Sequence, residues 1–284
     1  MVGVALPEVL SKCDHCVIHH RSICQDVDDT IKLELNRISH FRNYSEGETV
    51  VAEGDDVSVV GNVISGMLKL VKTLPDGRQH IVGLIHPAGM FGRVFGSKTR
   101  FAIEAATDVR LCCFERRAFE ALVSQNPVFE HKLLLNSLDE LDATRAWTML
   151  LGCQSVLERV ATFLMILLRL QEHQGCAKIP QPDHNIVRLP ISRRDTAAYL
   201  GTTPETISRS IHVLARRGIV RIIDTQHFEI MQINRLALLS GREEFVGEVK
   251  MHSNSLPRAS AERHDLLVSE TEAALAKKKV MPQV

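Results

Sequence analysis

Residues 192–221, SRRDTAAYLGTTPETISRSIHVLARRGIVR, leave the chain few choices of local structure. Ser192 is a favourable helix N-cap, and Asp195 three residues on completes a capping-box pattern. The helix they start would end at Gly201, a residue suited to a tight turn. Thr202 or Thr203 can cap a second helix with Pro204 in its first position, where a missing N–H costs nothing. Along it Ile207, Ile211 and Leu214 recur at i, i+4 and i+7 and define a buried face. Glu205, Ser208, Arg209 and His212 are left on the opposite, exposed face. A short helix, a glycine turn and a second helix with an outward Glu–Ser–Arg set form a helix-turn-helix pattern. An ordinary αα-hairpin with a solvated polar face produces the same pattern.

Charge distribution favours the first reading. Between residues 186 and 222 there are seven arginines (188, 193, 194, 209, 216, 217 and 221) against Asp195 and Glu205, a local net charge of +5. The whole chain has a formal charge of zero, so −5 falls on the rest. A basic module on an acidic body suits phosphate contacts with nucleic acid, whereas a solvated surface usually mixes its signs. Arg193 and Arg194 are candidate phosphate contacts, as are Arg216 and Arg217; a solvated surface is the alternative for all four.

With 284 residues the chain can build a sizeable core, and two domains plus a tail are expected. The longest apolar run, Val160 to Leu168, is about half the length of a membrane span. The N-terminus lacks a signal peptide's basic region and long apolar core, so a cytoplasmic protein with no membrane association is expected. In that reducing setting the seven cysteines argue for metal binding or free thiols over a disulfide framework. Cys13, Cys16 and Cys24 form a C-x2-C-x7-C spacing within a cysteine-rich segment, residues 1–30. Three clustered thiolates suit a metal or an iron–sulfur cluster. Zinc completed by His15, His19 or His20 is one alternative, and unliganded thiols on a flexible terminus are another.

Residues 31 to about 116 have the character of β structure, within a sensor domain assigned to residues 31–125. Short apolar or alternating segments (49–52, 57–64, 67–73, 80–85 and 109–114) are separated by Gly, Pro and Asp turns, with Pro75-Asp76-Gly77 an explicit hairpin turn. Many short strands predict an antiparallel barrel or jelly roll. Cys112 and Cys113 lie in the last of them, and only one can face a given site.

The period turns helical over residues 126–155, where Leu134, Leu138 and Leu141 stand at i, i+4 and i+7 and could form a dimer seam. Packing on the chain's own β domain is the other option. Residues 156–240 predict a winged module: an apolar helix within 159–170, a loop over 175–185, the helix-turn-helix, and a small hairpin around residues 224–226. Residues 241–284 favour a disordered tail, with one short helix within 269–279. No Gly-rich phosphate loop, G-x-S-x-G or H-E-x-x-H occurs, so an enzyme is not expected.

The order of β-roll, long helix and winged helix-turn-helix over residues 10–240, with the core Pro204-Glu205-Thr206-Ile207-Ser208-Arg209, resembles the CRP/FNR superfamily of bacterial transcription regulators. The C-x2-C-x7-C segment is similar to that of the oxygen-sensing, FNR-type regulators of alphaproteobacteria. The resemblance implies an α+β chain: a cyclic-nucleotide-binding-like β-roll, a dimerisation helix and a DNA-binding domain. It implies a homodimer on double-stranded DNA that contacts RNA polymerase and controls genes of anaerobic or microaerobic metabolism. It also implies inverted-repeat sites of the TTGAT type, with Thr203, Glu205, Ser208 and Arg209 at the DNA. Arg209 can donate to guanine O6 and N7, and Glu205 can accept from cytosine N4. A [4Fe–4S] cluster on Cys13, Cys16, Cys24 and a β-roll cysteine is implied as the oxygen sensor. Alignment through LCCFERRAF makes that fourth ligand Cys112, with Cys113 as the fallback.

The sensor departs from the cyclic-AMP binders. Their Phe-Gly-Glu is Phe91-Gly92-Arg93 here, and Arg100 is followed by Phe101 instead of a hydroxyl residue. A cyclic nucleotide is therefore not expected. The alternative within the fold senses redox state through thiols, Cys153 and Cys176 among them, or through zinc or haem.

Overall fold

The computed structural model describes residue 13, residues 15–173 and residues 185–240. A single 3-10 turn at His19–Arg21 precedes helix α1 (Asp29–Ile38). Asp28 caps α1 by accepting from the Ile31 N–H at 2.8 Å. This helix corrects the expectation of β structure from residue 31. Ile31 and Leu35, one turn apart, bury themselves while Leu33 stays exposed, which is helical amphipathicity.

Eight strands follow: β1 (Ser39–Tyr44), β2 (Thr49–Val51), β3 (Val59–Ser65), β4 (Leu68–Thr73), β5 (Gln79–Ile85), β6 (Met90–Phe91), β7 (Ala102–Ala105) and β8 (Val109–Glu115). They form two antiparallel four-stranded sheets, ordered β1-β8-β3-β6 and β2-β7-β4-β5. All five expected strand segments are present. The Pro75-Asp76-Gly77 turn joins β4 to β5, with Gly77 at φ 82°, where glycine has no steric cost. The Leu74 N–H donates to the Arg78 carbonyl at 2.8 Å to close it.

Helices α2 (Arg116–Gln125), α3 (Pro127–Cys153) and α4 (Val156–His173) come next. The C-terminal module comprises β9 (Ile186–Arg188), α5 (Arg193–Tyr199), α6 (Pro204–Arg216), β10 (Val220–Ile222), β11 (His227–Ile230) and α7 (Ile233–Leu239). Its sheet is β10-β11-β9, so a third strand joins the expected hairpin just beyond the expected loop. Residues 174–184, most of that loop, and 241–284, the expected tail, lie outside the described residues, as does Cys176.

Three cores hold these elements. Val63, Leu68, Phe91, Leu111 and Cys113 fill the roll between its sheets. Val60 and Phe114, on the other face of the first sheet, pack with Ile23, Leu35, Phe119 and Phe129. The third core surrounds α4. Its all-round apolar run predicts a buried helix, and Val160, Phe163, Leu164 and Leu168 are all buried there with Ile207, Ile211, Leu214 and Phe228. Each such side chain contributes roughly 1.5–3 kcal/mol by leaving water. Met67 and Ala106 of the roll belong to the same core. Among the described residues no helix is long and apolar enough to cross a membrane.

Candidate nucleic-acid interface and thiol pocket

The two helix starts are capped where the sequence places them. Ser192 Oγ accepts from the Asp195 N–H at 3.0 Å, and Thr203 Oγ1 accepts from the Thr206 N–H at 3.3 Å. Gly201, at φ 63°, makes the turn between them. With Ile207, Ile211 and Leu214 buried, Glu205, Ser208, Arg209 and His212 are exposed on the outward face of α6. Ser208 Oγ donates to the Pro204 carbonyl at 3.0 Å, and Arg209 Nη2 donates to Thr206 Oγ1 at 3.2 Å. The Glu205 carboxylate is held below its usual range by its own backbone N–H, then by the Thr203 hydroxyl and Arg209. It is therefore an ionised acceptor beside a fixed donor.

The arginines divide. Arg194, Arg216 and Arg217 are exposed. Arg193 is half-buried: its guanidinium lies 5.1 Å from the Phe228 ring centroid, and Nη2 donates to the Thr225 carbonyl at 2.9 Å. Burial lowers its pKa, and Nη1 is enclosed without a hydrogen-bond partner among the described residues. Arg193 thus ties α5 to the wing. Arg221 pairs with Glu229 across the wing.

The helix-turn-helix also rests on the roll. Lys69 Nζ of β4 lies 3.1 Å from Asp195 Oδ1 and 3.5 Å from Glu104 Oε2. The capping-box acid therefore points to Lys69. Tyr199 of α5 stacks on Trp147 of α3, with centroids 4.1 Å apart and rings 12° from parallel. Both rings line a cavity of about 410 Å³, together with Arg93, Arg100 and Phe101. Glu140 also lines it, its carboxyl pushed up by desolvation. Leu134, Leu138 and Leu141 of α3 are exposed.

The thiols gather on the outer face of the first sheet. Successive residues of β8 face opposite ways: Cys113 is enclosed in the roll core, and Cys112 packs beside Cys24 in the second core. Ile18 and Ile23, each at most 3% exposed, anchor the N-terminal segment. The turn is held by the Cys16 N–H on the Cys13 carbonyl and the His19 N–H on the Cys16 carbonyl. Burial, reinforced by Cys13 and Cys16 and opposed by Ser22 and Lys132, pushes the Cys24 thiol up to about 12. Cys112 is raised further by burial, then by Cys24, Cys16 and Cys13. Four thiols are thus within electrostatic reach of one another.

Among the described residues, no three His, Cys, Asp or Glu side chains converge as a single-ion site. A four-iron cluster takes one thiolate per iron, so its ligands stand apart around a cube and need not converge on one point. The four-thiol donor set fits that chemistry. Sequence reasoning missed Asn62, whose buried amide donates to Cys24 Sγ at 3.9 Å. Only the sheet register, which sequence does not give, could have found it.

A cyclic nucleotide-binding domain model matches residues 41–126, and a Crp-like helix-turn-helix domain model matches residues 158–239. The chain is 34% identical over 237 residues to transcriptional activator protein FnrL of Cereibacter sphaeroides, covering 81% of this chain and 92% of that protein. It is 33% identical over 212 residues to nitrogen fixation regulation protein FixK of Bradyrhizobium diazoefficiens, covering 74% of this chain and 86% of that one. The solved structure of FixK2 from Bradyrhizobium japonicum superposes with a TM-score of 0.64 at 29% identity, covering 71% of this chain and 97% of that one.

Proposed function

The chain belongs to the CRP/FNR family of DNA-binding transcription regulators, and from that premise we propose that it is an oxygen-responsive activator. It binds inverted-repeat TTGAT-type sites as a homodimer, and Cys13, Cys16, Cys24 and Cys112 hold a [4Fe–4S] cluster. The observation that carries the reading is that Cys24 and Cys112 pack beside the same core, within electrostatic reach of Cys13 and Cys16, in a chain whose α6 presents Glu205, Ser208 and Arg209 outward.

At the DNA, Arg209 exchanges its bond to Thr206 for guanine O6 and N7, Glu205 accepts from cytosine N4, and Ser208 meets a neighbouring base. Thr203 fixes the start of α6 and lies at the phosphate backbone. Arg194, Arg216 and Arg217 neutralise phosphates, and Arg193 holds the wing in place. The exposed Leu134, Leu138 and Leu141 supply the dimer seam, which sets two α6 helices one helical turn of DNA apart. RNA polymerase is the partner on promoter DNA.

When bound, the cluster supplies oxygen-labile bonds that tie the N-terminal segment to β8. The chain's own part is to hold that segment on the sheet through Ile18 and Ile23, and to keep water from the sulfurs. Loosening it alters the packing of α1, α2 and the start of α3, which share its core, and so biases the dimer helix. A cyclic nucleotide is not the effector, because Arg93 stands where a ribose acceptor is needed and Phe101 follows Arg100. The test is DNA binding by mobility shift on a TTGAT inverted repeat, without oxygen and after air. Tight binding lost on aeration supports the reading; equal binding in both contradicts the oxygen response.

A further inference from the structure

Asn62 is a buried polar side chain beside the thiols. Asn62 of β3 stands directly across from Cys112 of β8, and on its other side it pairs with Met90 of β6. Residues directly opposite on antiparallel strands project to the same face, so Asn62 and Cys112 share the outer face of the sheet. Asn62 is only 1% exposed. Its Nδ2 donates to Cys24 Sγ at 3.9 Å, and its Oδ1 has no hydrogen-bond partner among the described residues.

A half-satisfied amide among apolar side chains is unfavourable, and an apolar residue of similar size would remove the penalty. Val60 and Val63, its neighbours in β3, show what this strand otherwise buries. An Asn aimed at a sulfur gains when that sulfur carries charge, because an N–H donor to an ionised acceptor is about twice as strong as one to a neutral group. We propose that Asn62 is a positioning residue for the cluster, donating an N–H···S hydrogen bond to ligated Cys24 while standing beside Cys112. The inference rests on the cluster reading above. Hydrogen bonds to the sulfurs are among the factors that set a cluster's reduction potential. A donor stabilises the more negative, reduced form, so Asn62 raises the potential and retains the ligand.

The test compares the full-length wild type with Asn62→Leu and Asn62→Asp, all purified without oxygen. Leu removes the donor and fills the space; Asp keeps the shape without the N–H. Three readouts are used: the midpoint potential by optical redox titration, the rate at which an iron chelator strips iron under argon, and melting temperature. Both variants should shift the potential to more negative values and lose iron roughly 10- to 100-fold faster, the range for outer-shell partners of metal ligands. The Leu variant should melt no lower than wild type. Should Leu fail to fold, the potential of the Asp variant decides. Unchanged potential and stripping rate in a cluster-bearing variant would overturn the role of Asn62 alone. A wild type that carries no iron would overturn the cluster reading and this proposal with it.

Discussion

Lys69 of β4 and Asp195 of α5 are joined by a 3.1 Å ion pair, with side chains only 14% and 20% exposed. They link the β-roll to the first helix of the DNA reader across 126 positions of sequence. Glu104 shares the same ammonium at 3.5 Å. Removing Lys69 leaves two carboxylates facing each other with no cation between. Lys69→Met should therefore destabilise the protein, by at most the roughly 3–5 kcal/mol that breaking a buried pair costs, since an uncompensated charge in a mostly enclosed site is unfavourable. Amide hydrogen exchange in α5 should speed up while that of β8 stays unchanged. Unchanged exchange in α5 would mean that the ion pair does not hold α5 in place.

Arg209 is the residue on which sequence discrimination is expected to depend. Arg209→Ala should weaken binding to a TTGAT inverted repeat by about 1–3 kcal/mol and relax preference at the guanine, leaving affinity for random DNA nearly constant. Thr203→Ala should weaken both, because it removes the cap of the whole recognition helix, at about 1 kcal/mol of stability. Competition mobility shifts on the repeat and on random duplex separate the two effects.

The sheet register distinguishes the adjacent cysteines. Cys112→Ala should abolish iron retention, whereas Cys113→Ala should keep it and lower stability by roughly 1 kcal/mol through the small void left in the roll core. Iron content per chain after anaerobic purification decides. Retention by the Cys112 variant and loss by the Cys113 variant would reverse the assignment.

His86 gives the roll an acid sensitivity. Burial pushes its imidazole down to about 4 from 6.5. The folded state then binds fewer protons than the unfolded chain between those values, so stability should fall as pH drops from about 6.5 to 4. Above pH 6.5 this contribution is complete. His86→Gln should flatten that part of a curve of melting temperature against pH.

The parts of this fold legible in the sequence are those fixed by near neighbours. Ser192, Thr203 and Pro204 set the helix starts, Gly201 and Gly77 the turns, and the all-round apolar run of α4 its burial. Other features depend on partners far along the chain. Arg193 is drawn inward by Phe228, and Asp195 by Lys69. The polar strand β1 (SHFRNY) exists because β8 pairs with it. Helix α1 was hidden because Ile31 and Leu35 also suit the short apolar segments of a β domain. The thiol set was half legible: the spacing marked three cysteines, but Asn62 joins them only through the pairing of β3 with β8.

An oxygen-labile cluster on Cys13, Cys16, Cys24 and Cys112 is the input proposed for this regulator. It is tested most directly by the absorption spectrum, with iron and sulfide content, of anaerobically purified protein before and after air. A brown protein with about four irons per chain that bleaches on aeration is expected. A colourless protein carrying one zinc would contradict it.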